Sequence, residues 1–273
     1  MLVDSHCHLD FPDFVVDQAE IVARARRAGV GTMMTIATYV SRFDQVLAVA
    51  ERFAGVVCTL GVHPHQAAEE LELATEARLS ELARHPKVVA IGECGLDFHY
   101  NYSPRAEQET CFRRQVRVSL ATGLPLVIHA READDVILEI VKQEAAGAPV
   151  TGVMHCFASS PGLAEQALAL GLSLSFSGMI TFKKSQALRD IAATVPLERL
   201  LVETDAPYLA PMPHRGKRNE PAYVAHTAEA LARVKGVSAL ELAAVTTANF
   251  RRLFPRAAPA VDEGFGLISS VVV

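Results

Sequence analysis

The feature that most constrains the fold is an eightfold alternation of short apolar strand patterns with amphipathic helix patterns. Apolar, β-branched runs predict strands at 2–8, 31–38, 56–63, 88–97, 124–130, 151–157, 172–179 and 200–205. Helix patterns follow them at 17–28, 41–53, 75–85, 104–121, 132–145, 161–170, 185–194 and 221–234. Eight strand–helix cycles in 273 residues are typical of a (β/α)8 TIM barrel, an α/β fold with a closed ring of parallel strands.

Local signals support these boundaries. Four residues are plausible N-caps, namely Ser41, Thr75, Ser103 and Ser160, and four glycines lie where helices should stop, namely Gly29, Gly123, Gly171 and Gly236. A doubly wound open sheet is the alternative, but no glycine-rich phosphate loop follows the first strand. We therefore predict a single barrel domain over residues 1–255, with one extra C-terminal helix at 241–253. Residues 256–273 show no clear pattern and form a tail, which is either mobile or packed through its VVV end.

Composition excludes some classes of protein. The formal net charge is −5 and aromatic residues make up 6% of the chain, so we do not expect a protein that coats long duplex DNA, although a local phosphate site fits. No run of apolar residues approaches the length of a membrane span, and the N-terminus lacks a secretory leader. Five cysteines without a C-x-x-C pair are typical of reduced thiols. We expect a cytoplasmic protein, monomeric or loosely associated, with no membrane contact and no obligate protein partner.

The chain opens with two histidines separated by one residue, in VDSHCHLD. Successive side chains of a strand point to opposite faces, so Asp4, His6 and His8 share one face. Two neutral imidazoles on one face suit a divalent cation. A hydrogen-bonded pair of structural histidines is the alternative, because histidine is often partly buried without binding a metal.

Ligand-type side chains recur where the predicted strands end. They are His6 and His8 on the first strand, Glu93 on the fourth, His129 on the fifth, His155 on the sixth and Asp205 on the eighth. Active sites of such barrels form at the C-terminal ends of the strands, so these side chains should meet. Burial without cations would leave several of them without partners, which is costly. The pattern therefore predicts a metal centre.

The number of ligands predicts two divalent metal ions. One zinc ion takes three or four protein ligands, and a shared carboxylate accounts for the larger set. We predict that Glu93 bridges the ions, with His6, His8 and Asp205 completing one site and His129 and His155 the other. Mixed nitrogen and oxygen donors are compatible with Mg, Mn or Zn, and also with cobalt, so the sequence does not select the metal.

A family resemblance supports this hypothesis. The chain contains, in order, DSHCHLD, GVHPH, IGECGLDFHYN, PLVIHAREA, MHCF, SFSGMITFKKS, VETDAPYLAP and RGKRNEP. From Val3 to about Phe254 it resembles the TatD family of metal-dependent hydrolases, which belong to the amidohydrolase-like barrels. The resemblance implies a TIM barrel and a metal-dependent deoxyribonuclease, typically an exonuclease acting on 3′ ends of DNA, here with single strands preferred. It implies the same ligands: His6, His8, Glu93, His129, His155 and Asp205.

Three carboxylates are the catalytic candidates. Two metal ions would activate water for in-line attack on a phosphodiester, with Glu93 as their bridge. Asp205 is predicted to be a ligand and a general base toward the attacking water. Glu203 lies two residues earlier on the same face and is predicted to orient Asp205 or a histidine. Its alternative role is a deeper barrel carboxylate paired with a cation.

Cations near the predicted strand ends are expected to bind the substrate. Arg131 lies two residues after His129 and shares its inward face, while Arg215 and Arg218 follow the eighth strand. Lys183, Lys184 and Lys217 lie in the same group of loops. A solvated set of surface charges is the alternative.

Rings near the same face are further candidates for substrate binding. His63 and His65 in GVHPH are predicted to contact a phosphate oxygen, and a rim or structural role is the alternative for His65. Tyr100 and Tyr102 in FHYNY are predicted to stack on a terminal base, the alternative being packing over the barrel mouth.

Three function classes follow from this pattern. The first is a 3′-5′ exodeoxyribonuclease using water activated by two metals, which the resemblance and the basic loops favour. The second is a small-molecule amidohydrolase or esterase with the same dinuclear site, because the same activated water also attacks carbonyl carbon. The third is a non-catalytic metal or nucleic-acid binding module, and the intact ligand set speaks against it.

Overall fold

The computed structural model describes residues 1–269 and contains one eight-stranded parallel sheet. The strands are β1 (Leu2–Cys7), β2 (Val30–Thr35), β3 (Val56–Leu60), β4 (Val88–Asp97), β5 (Leu126–Arg131), β6 (Gly152–Met154), β7 (Ser173–Phe176) and β8 (Leu200–Val202). Each strand pairs with the next in the chain. Beyond the end of β8, Ala206 forms a parallel bridge with Cys7, and the N–H of His8 donates to the Ala206 carbonyl at 2.8 Å. The predicted (β/α)8 barrel is confirmed.

Helices alternate with the strands and two more follow the barrel. They are α1 (Gln18–Arg27), α2 (Phe43–Arg52), α3 (Ala67–Glu70), α4 (Glu76–Leu82), α5 (Arg105–Thr122), α6 (Asp134–Ala145), α7 (Pro161–Ala169), α8 (Gln186–Thr194), α9 (Val224–Lys235), α10 (Ala239–Leu253) and α11 (Ala258–Ser269). The extra helix predicted at 241–253 is α10. Within the described residues, no helix combines the length and the apolar character needed to cross a membrane.

Two of the four predicted N-caps are confirmed. The hydroxyls of Thr75 and Ser160 each accept a backbone N–H at 3.2 Å and cap α4 and α7. Ser41 and Ser103 are not caps, because α2 begins at Phe43 and α5 begins after Pro104. The hydroxyl of Ser41 instead donates to the buried carboxylate of Glu70. The hydroxyl of Ser103 donates to the backbone carbonyl of His65.

Several strands end earlier than the apolar pattern predicts. β3, β6 and β8 stop before His63, His155 and Asp205, which lie in the loops that follow. Cys156 and Asp205 have left-handed φ angles of 44° and 57°, and this conformation breaks the extended pleat. Backbone in this region is uncommon outside glycine and is concentrated at functional sites.

The barrel interior is filled by apolar side chains, so the polar groups gather at one end. Buried residues of alternate strand positions form this inner core, including Val3, Met34, Val57, Val89, Val127, Val153 and Leu201. Phe250 and Phe254 of α10 and its C-terminal end, with Val261 of α11, join the same cluster. A second, larger cluster fills the layer between the strands and the helices. The interior is therefore a packed core, and the open mouth lies at the C-terminal ends of the strands.

The chain after Phe254 differs from the prediction. The sequence shows no clear pattern over 256–273 and predicts a tail, either mobile or packed through its VVV end, whereas residues 258–269 form α11, which packs against β2. Gly264 lies so close to Gly31 that a Cβ at residue 264 would sit 2.6 Å from the Gly31 carbonyl oxygen. A helix packed on the barrel therefore follows residue 255, and the VVV segment lies outside the described residues.

Candidate metal centre

The six predicted ligands meet around the carboxylate of Glu93. This residue lies inside β4, and its side chain is almost fully buried. Its two oxygens face different groups of side chains. We describe these groups as the Oε2 side and the Oε1 side of the centre.

The Oε2 side consists of His6, His8 and Asp205. Oε2 of Glu93 lies 3.3 Å from Nε2 of His6 and 4.0 Å from Nε2 of His8. Oδ1 of Asp205 lies 3.7 Å and 3.5 Å from the same two nitrogens. His6 lies on β1 and His8 directly after it. The Asp205 N–H donates to the His6 carbonyl at 2.9 Å, which fixes the loop after β8 beside β1. This is the predicted first set of donors.

The Oε1 side consists of His155, His129 and His63. Their nearest nitrogens lie 2.7, 3.1 and 3.4 Å from Oε1 of Glu93. Nδ1 of His129 is 3.2 Å from Nε2 of His155, so two ring nitrogens converge on one point. His63 joins this group, although the sequence predicts it as a phosphate contact. His63 lies in the loop after β3, as His155 and Asp205 lie in the loops after β6 and β8, and this shared position could have indicated a ligand.

Burial and neighbouring charges shift the pKa values of the groups in the centre. Burial raises the pKa of Glu93, but attraction to His155, His63 and His6 outweighs it and holds that pKa well below its usual range. Burial lowers the pKa of His155, but Glu93 and Glu203 outweigh it and raise that pKa well above the ordinary histidine value. For His6, burial dominates and the pKa is lowered. The centre therefore holds an ionised carboxylate among imidazoles of different basicity.

The donor atoms fit a divalent metal. Among the described residues, buried ring nitrogens of His6, His8 and His155 have no hydrogen-bond partner with acceptable geometry. His6 is the clearest case, because its Nε2 is close to two carboxylates and donates to neither. Donor atoms of three triads lie within 4.8 Å of one another: His6, His155 and Glu203; His6, His8 and Glu93; His63, Glu93 and His129. Nitrogens and carboxylate oxygens that converge, with Nε2 of His6 among them lacking a hydrogen bond, are what a coordinated ion would satisfy.

Asp97 supports the Oε1 side from behind and was missed by the sequence analysis. Its Oδ2 lies 2.8 Å from Nε2 of His65 and 3.4 Å from Nε2 of His129. Burial raises its pKa, but the contacts with His129 and His65 outweigh it and lower the pKa below the usual range. The sequence could have indicated Asp97, because side chains alternate along a strand and residues 93 and 97 therefore share a face of β4. His65 thus has a partner within the protein, which supports its structural alternative.

Glu203 also lies behind the donors. It is fully buried, its Oε1 accepts the Cys156 N–H at 2.6 Å, and the same oxygen lies 3.4 Å from Nδ1 of His155. This geometry supports an orienting role toward His155. Within the described chain, Glu203 forms no ion pair with lysine or arginine, which the alternative role requires.

The remaining predicted substrate residues are Arg131, Tyr100, Arg215 and Arg218. Arg131 and Tyr100 are exposed beside the centre, and the Arg131 guanidinium lies 4.5 Å from the Tyr100 ring centroid. Arg215 lies over the ring of Phe182 at 4.4 Å. The prediction for Arg218 is not supported, because its guanidinium donates to the Asp17 carboxylate at 3.0 and 2.6 Å. These donors connect the loop after β8 to the loop after β1 and are not free for phosphate.

Comparison with known proteins gives a consistent result. The sequence profile described as TatD related DNase matches residues 3–255. The chain is 40% identical to the uncharacterized metal-dependent hydrolase YcfH of Escherichia coli K12, over 93% of this chain and 95% of that protein. It is 38% identical to the 3′-5′ ssDNA/RNA exonuclease TatD of Klebsiella pneumoniae, over 93% and 97% of the two chains. Among solved structures, the TatD homologue YjjV of Escherichia coli K12 superposes with a TM-score of 0.87 at 33% identity, covering 93% of this chain and 98% of that one.

Proposed function

This chain belongs to the TatD related DNase family of metal-dependent hydrolases, and on that premise we propose that it hydrolyses DNA phosphodiester bonds as a 3′-5′ exodeoxyribonuclease. The name of the Klebsiella pneumoniae relative supports this choice of substrate, since that protein is named a 3′-5′ ssDNA/RNA exonuclease. The chain's own residues supply the physical argument.

The observation that carries the proposal is the position of Glu93 between two groups of donors. One of its oxygens faces His6 and His8 and the other faces His129 and His155, so a pair of divalent ions would share this carboxylate. Such a pair would lower the pKa of water and stabilise charge on both the attacking and the leaving oxygens of a phosphodiester. Magnesium, manganese and zinc all remain compatible with these donors.

The protein's own groups have separate roles in this proposal. The side chain of Asp205 is 15% exposed, against 3% for Glu93, so it is the carboxylate of the centre that solvent reaches most easily. Asp205 can accept a proton from the attacking water on that open side. Glu203 lies behind the ring of His155 and Asp97 behind that of His129, each at 3.4 Å, where they can orient the two rings. Arg131 lies at the mouth and can donate two parallel hydrogen bonds to a phosphate.

The test is nucleotide release from single-stranded DNA labelled at its 3′ end. The chelated protein is supplied in turn with magnesium, manganese and zinc, beside Glu93→Ala and Asp205→Ala. We expect metal-restored release that both substitutions abolish. Absence of release with every metal, from protein that still binds about two ions, would reject the nuclease and direct the search to carbonyl substrates.

A further inference from the structure

A row of stacked side chains lies beside the metal centre, and Arg131 is the one member of it with a role in the chemistry described so far. The rings of Tyr100 and Tyr102 are parallel within 11°, with centroids 5.4 Å apart. The guanidinium of Arg131 also lies over Tyr100. Tyr102 is 69% exposed, so most of its ring is available to a ligand. An aromatic row left this open to solvent has a cost unless something packs on it.

The row is connected to the metal centre. The ring of His65 contacts Tyr102 edge-on at 4.8 Å, and His65 binds Asp97, which contacts His129. Arg131 lies on β5 two residues after His129. Any molecule on the row therefore lies next to the site of hydrolysis.

Arg131 of the row and Arg105, the first residue of α5, have unused donors. Arg131 contacts Tyr100, and Arg105 lies over the ring of Phe98 at 4.2 Å. Neither guanidinium makes a hydrogen bond or an ion pair to any residue in the described chain. In contrast, Arg113 and Arg117, farther along the same helix as Arg105, both pair with a carboxylate of α6. In a protein with net charge −5, two unpaired arginines at the mouth provide a local site for an anion.

We infer that Tyr100, Tyr102, Arg105 and Arg131 form a platform that binds the single-stranded nucleic acid next to the scissile phosphate. A base stacks on the open face of Tyr102, and neighbouring phosphates bind the two guanidinium groups. Stacking on Tyr100 holds the Arg131 guanidinium while leaving its N–H donors free. The inference rests on the proposed nuclease function and deepens it, because it assigns the binding of the polymer to residues outside the metal centre.

The test compares two substrates. One is a single-stranded oligonucleotide of about eight nucleotides, and the other is bis(p-nitrophenyl) phosphate, which carries one phosphate and no neighbouring nucleotides. Tyr102→Ala and Arg105→Ala should each raise KM for the oligonucleotide by about tenfold, with kcat/KM for the small diester changed less than about twofold. Tyr102→Phe keeps the ring and should retain wild-type KM. Arg251→Ala, an exposed arginine on α10, is the matched control for loss of charge.

An abasic scan locates the contact. Removing one base at a time from the oligonucleotide should weaken wild-type binding at one position, and Tyr102→Ala should lose that position dependence. An unchanged oligonucleotide KM in Tyr102→Ala, or an equal loss on the small diester, would overturn the inference.

Failure of the proposed function is distinguishable from failure of the platform. If wild-type protein hydrolyses neither substrate, the nuclease proposal fails. Fluorescence anisotropy of the labelled oligonucleotide on metal-loaded protein then still decides the inference. Weaker binding by Tyr102→Ala than by Tyr102→Phe supports the platform, and equal binding rejects it.

Discussion

Nε2 of His155 lies 2.7 Å from Oε1 of Glu93, the shortest of the contacts between this carboxylate and the histidines around it. Without a metal, this contact is an ion pair between a buried glutamate and an imidazolium, because the pKa of His155 is raised and that of Glu93 is lowered. A metal must displace that proton before His155 can coordinate. Metal binding, proton release and the charge of Glu93 are therefore linked.

The first prediction concerns the charge of Glu93. Glu93→Gln keeps the shape of the side chain but removes the charge that faces both groups of histidines. We expect weaker binding of both ions and a loss of hydrolysis of about 100-fold or more, since removing one partner of a buried charge pair costs about 3–5 kcal/mol. Calorimetric titration of chelated protein with manganese or zinc measures the stoichiometry. Two ions bound with wild-type affinity would contradict the bridging role.

The second prediction concerns the pH dependence of metal affinity. Burial lowers the pKa of His129, but its contacts with Asp97 and Glu93 outweigh it, and like that of His155 this pKa is raised. The free protein keeps these protons as pH rises above the ordinary histidine value, so they compete with the metal throughout that range. Affinity should increase with pH from 6 to 8, by about tenfold per pH unit for each proton displaced. Titrations in buffers of different ionisation enthalpy count the protons. A flat profile, or affinity that falls with pH, would reject this coupling.

The third prediction separates orientation from proton transfer at Glu203. This carboxylate is fully buried behind His155 and accepts the Cys156 N–H, so we expect it to orient the ring. Glu203→Gln can still accept that N–H and should reduce metal affinity or activity by about 10–100-fold. The pH–rate profile should keep its acidic limb, which we assign to Asp205. Loss of that limb in Glu203→Gln, with metal affinity intact, would make Glu203 the general base.

The candidate donors are recognisable in the sequence because each is a polar residue in or just after an apolar strand pattern. The partners of the surface arginines and the helix after residue 255 are harder to predict, because they depend on contacts between segments that are distant in the chain. Arg218 looked free for phosphate, but its partner Asp17 is 201 residues away in the chain. The helix α11 was missed because APAVDEGFGLIS contains two glycines and a proline, which disfavour helix in isolation. Packing of Gly264 against Gly31 compensates for that weak propensity, and no local pattern shows it.

The fourth prediction concerns Asp4, which lies below His6 on the same face of β1. Its carboxylate accepts the N–H and the hydroxyl of Thr204 at 2.9 and 2.6 Å. Burial outweighs these bonds and raises its pKa to about 8. The unfolded chain loses this proton near its ordinary pKa while the folded chain keeps it, so stability falls between about pH 4 and pH 8. Asp4→Asn does not titrate. Its free energy of unfolding, measured without metal, should rise relative to wild type between pH 5 and pH 8 by a few kcal/mol. A difference that is independent of pH would show that Asp4 is ionised in the folded protein.

The last prediction tests how α11 closes the lower end of the barrel, with two glycines of the same helix as a matched pair. A Cβ on Gly264 would lie 2.6 Å from the carbonyl oxygen of Gly31 and 2.9 Å from Oγ1 of Thr32, so backbone would have to move. Gly264→Ala should destabilise the protein by about 1–3 kcal/mol, the usual range for overpacking. A Cβ on Gly266 meets no atom within 4 Å, so Gly266→Ala should stabilise the helix by about 0.5–1 kcal/mol. Denaturant unfolding of both variants measures the two signs. Stabilisation by both would mean that α11 does not pack on β2 in solution, because only that contact distinguishes the two positions.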